Sequence, residues 1–305
     1  MESKADTPVD LHVHSTASDG SLTPIELLDQ AIHNGIQALA LTDHDTIDGA
    51  RELFRQPPPP IALISGVEIS VQLPQGLALT GGCHLLGYGF DVNDPDLSKA
   101  LADFRNIRME RLPRMLKRLA DLGIPLSLEE LLTRCGDKPP GRPHVAALMV
   151  EKGYATSIDD AFDRYLATGK PGYVDKVRME ARKAMQLIRH AGGIPVLAHP
   201  GLIRTSSMAE TDRLIAWFQE NGLMGIEVFY PDHDPEQTEH FQSLALRYGL
   251  LMTGGTDFHG DIRPDIALGK GKGDFHVPYR LYADLATACR RMKDALVNSR
   301  QPAPS

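Results

Sequence analysis

Short apolar runs along this chain repeatedly end in a histidine or a carboxylate, and this recurrence limits the possible folds more than any other feature. Strands that each deliver a polar side chain at one end are typical of a β/α barrel, whose active site lies at the carboxyl ends of its strands. The pattern predicts such a barrel with a metal-dependent hydrolase site. The runs end in Asp10-Leu11-His12-Val13-His14, Leu41-Thr42-Asp43-His44, Gly66-Val67-Glu68, Cys83-His84, Leu197-Ala198-His199 and Thr256-Asp257-Phe258-His259.

Length and charge narrow the class of protein. The 305 residues, 42% of them hydrophobic, suit one barrel with an insertion or two domains. A net charge of -8 argues against binding duplex DNA but leaves room for a small nucleotide or a short RNA held by local cations. The three cysteines form no CxxC pair, which favours a reducing cytoplasm. Residues 1–6 lack an apolar signal core, and no apolar run reaches the ~18 residues of a membrane span. We therefore expect a cytoplasmic protein without a membrane partner, and the oligomeric state stays open.

Strand and helix patterns alternate along most of the chain. Thr23-Pro24-Ile25-Glu26 predicts a capped helix start, and Gly35 ends that helix. Alternation of this kind is typical of a parallel α/β barrel. Strands are predicted at 9–13, 37–42, 61–69, 84–90, 194–199, 225–229 and 250–254.

The alternation stops over residues 96–178, where the pattern predicts helices at 97–122, 128–135, 143–152 and 158–167. We interpret this stretch as a helical insertion that caps the mouth of a barrel built from residues 1–95 and 179–305. It carries several cations beside Pro and Gly turns, among them Lys138.

The polar strand ends predict a metal centre. His12 and His14 are two residues apart in a strand, so both imidazoles point to the same side and can reach one ion. Asp257 and His259 repeat this spacing. A carboxylate such as Glu68 is costly in an apolar strand unless it is paired with a metal or with a Lys or Arg.

Each of the remaining candidates is ambiguous alone, because a single strand-end histidine is more often a hydrogen-bonded core residue than a ligand. Together they form a set of nitrogen and oxygen donors without a thiolate, which suits Mn²⁺, Zn²⁺ or Fe²⁺ in a multinuclear site. The predicted ligands are His12, His14, Asp19, His44, Glu68, His84, His199, Asp257 and His259.

Four motifs resemble those of the polymerase and histidinol phosphatase (PHP) family: His12-Val13-His14-Ser15, Thr42-Asp43-His44, Ala198-His199-Pro200 and Gly255-Thr256-Asp257-Phe258-His259. The resemblance implies a distorted seven-stranded barrel and a phosphoesterase site with two or three divalent ions, of which Mn²⁺ is the first expectation. It also implies that a metal-bound water attacks the phosphorus, with no single protein side chain as the base. The implied ligand sets are His12, His14, Glu68 and Asp257 for one ion, Glu68, His84 and His199 for the second, and Asp19, His44 and His259 for the third.

The insertion resembles that of nucleotide-directed members, which are 3′,5′-nucleotide bisphosphate phosphatases, some of which trim short RNA from its 5′ end. Gly141-Arg142-Pro143-His144 and Gly169-Lys170-Pro171-Gly172-Tyr173-Val174 carry this resemblance. It implies removal of the 3′ phosphate from a 3′,5′-bisphosphonucleotide. The basic residues could instead be a solvated surface, and His144 could simply cap a helix. The candidate substrate-binding residues are Arg142, His144, Lys170, Lys176, Arg178 and Arg204.

Several other functions use the same pattern. A 5′-3′ exoribonuclease acting on short RNA and a phosphatase of the histidinol phosphate type share the ligand set. Amidohydrolases share the HxH start, but they commonly place a Lys at a strand end, where this chain has Glu68. A non-catalytic PHP module is the alternative outside enzymes, and the complete ligand set disfavours it. Glu227 and His233, near the end of the sixth strand, could line the mouth, support ligands or face solvent.

Overall fold

The computed structural model of this protein describes residues 8–77, 79–135, 141–175, 177–273 and 275–299. One seven-stranded sheet follows the chain order from β1 to β7. The strands are β1 (Val9–Val13), β2 (Ala38–Leu41), β3 (Ala62–Val71), β4 (Cys83–Tyr88), β5 (Ile194–Leu197), β6 (Gly225–Phe229) and β7 (Leu251–Gly254).

The helices lie between consecutive strands, several of them between β4 and β5, and α11 follows β7. The predicted start of the first helix is confirmed, because its N-cap Thr23 forms a capping box with Glu26 of its first turn. The α-helices are α1 (Pro24–His33), α2 (Asp48–Phe54), α3 (Pro95–Met109), α4 (Arg111–Asp121), α5 (Leu128–Cys135), α6 (Arg142–Glu151), α7 (Ile158–Ala161), α8 (Ala181–His190), α9 (Met208–Glu220), α10 (Pro235–Tyr248) and α11 (Tyr279–Ser299).

The sheet curls into a nearly closed barrel. All neighbouring pairs are parallel except those of β4, which is antiparallel to both β3 and β5. The chain after β7 meets β1, where the Asp257 amide donates to the His12 carbonyl at 2.8 Å and the His14 amide donates to the Phe258 carbonyl at 2.9 Å. The predicted distorted seven-stranded barrel is confirmed.

The direction of β4 corrects one detail of the sequence interpretation. The described residues between β3 and β4, 72–77 and 79–82, contain no helix, and a parallel crossover usually needs one. The chain therefore returns antiparallel, and His84 lies at the start of its strand rather than at the end. Glu68 likewise lies inside β3, which continues to Val71.

The chain divides into two compact units, Met1–Leu101 with Arg178–Ser305 and Ala102–Val177. The helix predicted over 97–122 is two helices, because Pro113 lacks an N–H and its ring would clash with the carbonyl four residues earlier. The helix predicted over 158–167 ends early, and a π-helical turn, Phe162–Leu166, follows it. Ala102–Val177 has a buried core of its own that includes Leu119, Leu131 and Val145.

The barrel unit holds a larger core. Tyr88 of β4 is fully buried inside it, and its hydroxyl donates to the Leu11 carbonyl at 2.7 Å. Leu285 of α11 packs in the same cluster. Within the described ranges, no helix combines the length and the apolar character needed to cross a bilayer.

Candidate metal centre

The structure brings the nine predicted metal-binding side chains together at one rim of the barrel. His12 is in β1, Glu68 in β3 and His84 in β4, while the others follow β1, β2, β5 or β7 in the chain. The antiparallel direction of β4 matters here, because it brings the beginning of that strand to the rim where the parallel strands end.

Backbone pairing explains why His44 reaches Glu68. The chain leaving β2 stays beside β3, since the Glu68 amide donates to the Asp43 carbonyl at 3.2 Å and the Asp45 amide donates to the Glu68 carbonyl at 2.7 Å. The two side chains then meet, with 2.9 Å between His44 Nδ1 and Glu68 Oε2.

Glu68 is the centre of the cluster and is 0% exposed. Its Oε1 lies 2.8 Å from His84 Nδ1 and 2.9 Å from His199 Nε2. Its Oε2 lies 3.2 Å from His14 Nε2 as well as beside His44. Burial alone would raise the pKa of Glu68, but His44, His84 and a further histidine hold it well below its usual range. The carboxylate therefore stays ionised with each oxygen facing imidazoles.

Asp257 completes one group of donors. Its Oδ1 lies 3.1 Å from His14 Nε2 and 3.4 Å from His12 Nε2. Burial would raise the pKa of Asp257, and the two histidines lower it. One donor atom from each of His12, His14, Glu68 and Asp257 lies within 4.8 Å of all the others, a spacing that one ion can satisfy.

Two further groups share members with the first. His14, Asp19, His44 and His259 form one, with Asp19 Oδ1 3.4 Å from His259 Nε2. The other comprises His44, Glu68 and His84. Compared with the ligand sets implied by the resemblance, the geometry adds His14 to the third set and has His44 in place of His199 in the second. His199 belongs to none of the three groups, although its Nε2 contacts Glu68 Oε1.

The cluster leaves buried polar atoms without hydrogen-bond partners, which is costly in a protein interior. Divalent cations bound among these side chains would give such nitrogen and oxygen atoms a partner. The donors are nitrogen and oxygen only, which suits Mn²⁺, Zn²⁺ or Fe²⁺. The unpartnered atoms at this site are His12 Nε2, His14 Nδ1, His14 Nε2, His44 Nδ1, Glu68 Oε2 and His199 Nδ1.

Comparison with known proteins places this cluster in a family. The model of the PHP domain matches residues 10–228, which is more than half of the chain. The chain belongs to the PHP family. The resemblance drawn from the four sequence motifs is thereby confirmed.

Individual relatives match nearly the whole chain. The 5′-3′ exoribonuclease Rnm of Escherichia coli (strain K12) is 36% identical over 264 residues, which is 86% of this chain and 88% of that protein. The 3′,5′-nucleoside bisphosphate phosphatase of Chromobacterium violaceum is 36% identical over 256 residues, which is 82% of this chain and 87% of that protein.

A solved structure shares the fold. It is that of an amidohydrolase from Chromobacterium violaceum with bound sulfate and no metal, and it is 32% identical to this chain. It covers 92% of this chain and 96% of its own, with a TM-score of 0.69. The family and these relatives show that this PHP protein is a hydrolase.

Buried carboxylates outside the three donor groups hold the backbone at this rim of the barrel in place. Asp43 accepts hydrogen bonds from the Ser15 amide and hydroxyl, both at 2.8 Å, and from the Ser18 hydroxyl at 2.7 Å. It thereby holds the turn that carries Asp19. Asp10 accepts from the Thr256 hydroxyl at 2.6 Å, and burial raises the pKa of Asp10 to about 6.

Two residues that no sequence pattern indicates hold Asp257 through its second carboxylate oxygen. The Tyr230 hydroxyl donates to Asp257 Oδ2 at 3.0 Å, and Arg263 Nη1 donates to the same oxygen at 3.1 Å. Oδ1 therefore faces the histidines. The supporting aspartates Asp10 and Asp43 did have a signal, because each lies within two residues of a predicted ligand.

Three residues of the rim have left-handed backbone, which is uncommon outside glycine and often marks a functional site. They are Asp45 at φ 54°, His199 at φ 25° and Asp257 at φ 55°. Each amide is held by a hydrogen bond; the His199 amide, for example, donates to Glu227 Oε2 at 2.7 Å.

Three of the predicted substrate-binding residues that the structure describes lie in the unit Ala102–Val177. The Arg142 guanidinium lies over the rings of Phe162 and Tyr173, 5.7 and 5.4 Å from their centroids. His144 Nδ1 accepts from the Gly141 amide at 2.9 Å, which is the capping role considered above. Lys170 is exposed in a turn.

Two others lie in the barrel unit. Arg204 is exposed, and its backbone pairs with that of Thr80 ahead of β4. Arg178 is half-buried, and its carbonyl accepts from Gln72 Nε2 at 3.1 Å. Lys138 and Lys176 lie outside the described residues.

Proposed function

We propose that this PHP hydrolase removes the 3′ phosphate from a 3′,5′-bisphosphonucleotide, using two or three divalent ions, preferably Mn²⁺. The observation that carries the proposal is the cluster itself, in which three overlapping donor groups share Glu68, His14 and His44. Several ions close together suit phosphoryl transfer, where both the attacking and the leaving oxygen need stabilisation. The chain is also 36% identical to a protein named for this activity.

The side chains of the cluster fit this chemistry. When bound, the ions would lower the pKa of a coordinated water and neutralise the phosphoryl oxygens. Glu68 and Asp257 contribute negative charge that offsets the cations. Burial lowers the pKa of His84 to about 4, so its ring is neutral at neutral pH and offers a lone pair. Burial also keeps competing water from much of the cluster, which strengthens every charge interaction there.

A second phosphate needs cations outside the cluster. We propose that the unit Ala102–Val177 acts as the substrate cap, with Arg142 and Lys170 as its phosphate contacts, and that Arg178 and Arg204 contribute from the barrel unit. An Arg can hold a phosphate with two parallel hydrogen bonds, whereas a Lys acts as a point charge. Binding energy from this remote phosphate can raise kcat as well as lower KM, because it positions the reacting group.

A second candidate function is 5′-3′ exoribonuclease activity on short RNA. The observation in its favour is the relative named as such an enzyme, which is also 36% identical over a similar span. The same cations would then hold successive phosphates of a longer backbone.

A panel of substrates tests the proposal on purified, Mn²⁺-loaded protein. We expect a higher kcat/KM for a 3′,5′-bisphosphonucleotide than for AMP or histidinol phosphate, with a 5′-monophosphate as the product. A charged contact to the second phosphate is worth roughly 1.5–3 kcal/mol, which corresponds to a ten- to hundredfold preference. Equal efficiency on AMP would mean that no second phosphate is recognised, and the proposal would fail.

The panel also contains the alternatives. Faster release of a nucleotide from a 5′-phosphorylated dinucleotide than of phosphate from the bisphosphonucleotide would favour the exoribonuclease. An N-acyl amino acid serves as the amide probe, since the similar solved structure is described as an amidohydrolase. We expect no turnover of this probe.

A further inference from the structure

Glu227 of β6 contacts two of the nine predicted metal-binding residues without belonging to any of the three donor groups. It is 0% exposed. Its Oε1 lies 3.0 Å from His12 Nδ1, and its Oε2 accepts from the His199 amide at 2.7 Å. The two oxygens of one carboxylate therefore serve two different strands of the barrel.

The first contact determines which nitrogen of His12 can bind an ion. An ionised carboxylate only accepts hydrogen bonds, so the proton of a neutral His12 ring stays on Nδ1. The lone pair is then on Nε2, which lies 3.4 Å from both Glu68 Oε2 and Asp257 Oδ1. Histidines that bind metals commonly donate their other N–H to such a carboxylate.

The second contact holds the unusual backbone of His199, which has φ 25° and ψ 61°. The neighbouring Gly201 amide donates to His233 Nε2 at 3.2 Å. His233 is held in turn by the Val228 carbonyl, 2.9 Å from its Nδ1. The end of β6 thus fixes the segment that presents His199 to Glu68.

We propose that Glu227 is a positioning residue that selects the metal-binding nitrogen of His12, fixes the backbone of His199 and so couples the ion positions on either side of Glu68. The inference rests on the proposed metal centre and not on the choice of substrate. Glu227 touches no ion or substrate in this scheme and acts through the two histidines.

The substitution Glu227→Gln separates this role from simple packing. A carboxylate offers an acceptor to both His12 and His199, whereas an amide of nearly the same shape offers one acceptor and one donor. If the amide oxygen faces the His199 amide, the NH₂ group faces His12 Nδ1 and favours the ring form with a proton on Nε2. If it faces His12, the His199 amide loses its partner. Either orientation disturbs one of the two histidines.

The experiment measures Mn²⁺ binding to metal-free protein, with free Mn²⁺ followed by electron paramagnetic resonance. We expect Glu227→Gln to weaken at least one ion by about 10- to 100-fold, the usual effect of removing such a carboxylate. Its visible spectrum with Co²⁺ should also change, because the ligand field of a displaced histidine differs.

The matched control is Glu210→Gln. Glu210 is 3% exposed and accepts from the Ser206 amide at 2.7 Å, but it belongs to none of the donor groups. The Glu210→Gln variant should bind Mn²⁺ like the unaltered protein. A folded Glu227→Gln variant with the Mn²⁺ isotherm and the Co²⁺ spectrum of the unaltered protein would overturn the proposal.

A measurement on the unaltered protein decides the matter if Glu227→Gln does not fold. In zinc-loaded protein with ¹⁵N-labelled histidine, His12 should carry a slowly exchanging Nδ1 proton, and one that exchanges as fast as an exposed imidazole overturns the proposal. Failure of the substrate proposal is distinguishable, because protein that binds ions but hydrolyses no nucleotide leaves this test intact. If the protein binds no divalent ion, both the substrate proposal and the proposal for Glu227 are refuted.

Discussion

Replacing Glu68 by Gln should remove ions selectively rather than uniformly. Glu68 belongs to the group with His12, His14 and Asp257 and to the group with His44 and His84. The variant reduces the first group from four donors to three and leaves the second with two. The remaining group, built on Asp19 and His259, keeps all its donors. We therefore expect protein that retains about one tightly bound ion per chain.

The expected loss of ion affinity in Glu68→Gln can be estimated from the number of ligands removed. Removing a carboxylate that only supports a ligand costs about 10- to 100-fold in affinity. Removing a ligand should reach the upper value, about 100-fold or 2.7 kcal/mol for each of the two ions. At a free-ion concentration of 100 times the original Kd, the stabilisation from one ion falls from about 2.7 to about 0.4 kcal/mol.

The assay combines elemental analysis after gel filtration with thermal unfolding at a series of Mn²⁺ concentrations. Circular dichroism of the metal-free variant shows whether the barrel is intact. Full ion content and full activity in Glu68→Gln would refute the bridging role. Uniform loss of every ion would show that the group containing Asp19 and His259 does not hold one by itself.

Three further predictions concern Lys170 of the proposed substrate cap, the protonation of two histidines of the cluster, and the contact between β1 and the chain after β7. Lys170→Ala should raise KM for the bisphosphonucleotide without changing ion content or the rate on AMP, and unchanged kinetics on every substrate would return Lys170 to the solvated surface. Burial lowers the pKa of His14 and His259, but carboxylates raise both above 6.5 in the metal-free protein. The stability from these charge pairs is full below pH 6.5 and declines as pH rises through the raised values, so calorimetry should show more protons released on Mn²⁺ binding at pH 6.5 than at pH 8. Gly255→Ala should destabilise the fold by about 1–3 kcal/mol or more in chemical denaturation, because the added Cβ would overlap the His12 backbone.

The convergence of the nine predicted metal-binding side chains could be expected from the sequence, because each follows or interrupts an apolar strand. A polar side chain in such a place has few explanations, and the strand ends of one barrel meet at one rim. His84 was selected for the same reason, although the predicted direction of its strand was wrong. Strand direction depends on the connection between strands, and the apolar pattern of β4 is the same in either direction.

Glu68 and Glu227 show where sequence reasoning stops. Gly66-Val67-Glu68-Ile69 and Gly225-Ile226-Glu227-Val228 follow the same pattern, a glutamate between β-branched residues in a buried strand. One carboxylate faces the donors of the cluster, and the other lies behind His12. Which of the two carboxylates contacts the other donors depends on tertiary packing, and the local sequence pattern is the same for both. The contacts of Tyr230 and Arg263 with Asp257 could not be predicted from the sequence for the same reason.

The seam between the first and last strands has a consequence for how the protein is made. The Asp257 amide binds the His12 carbonyl there, and the Thr256 hydroxyl binds Asp10 across 246 residues of chain. Joining ends so far apart costs roughly 5 kcal/mol of chain entropy beyond a constant. A nascent chain that has not yet emerged beyond β7 therefore has His12 and His14 but no Asp257. The donor group that needs Asp257 is incomplete until the chain beyond β7 has emerged, and a ribosome-bound chain stalled before residue 251 should fail to retain the ion of that group.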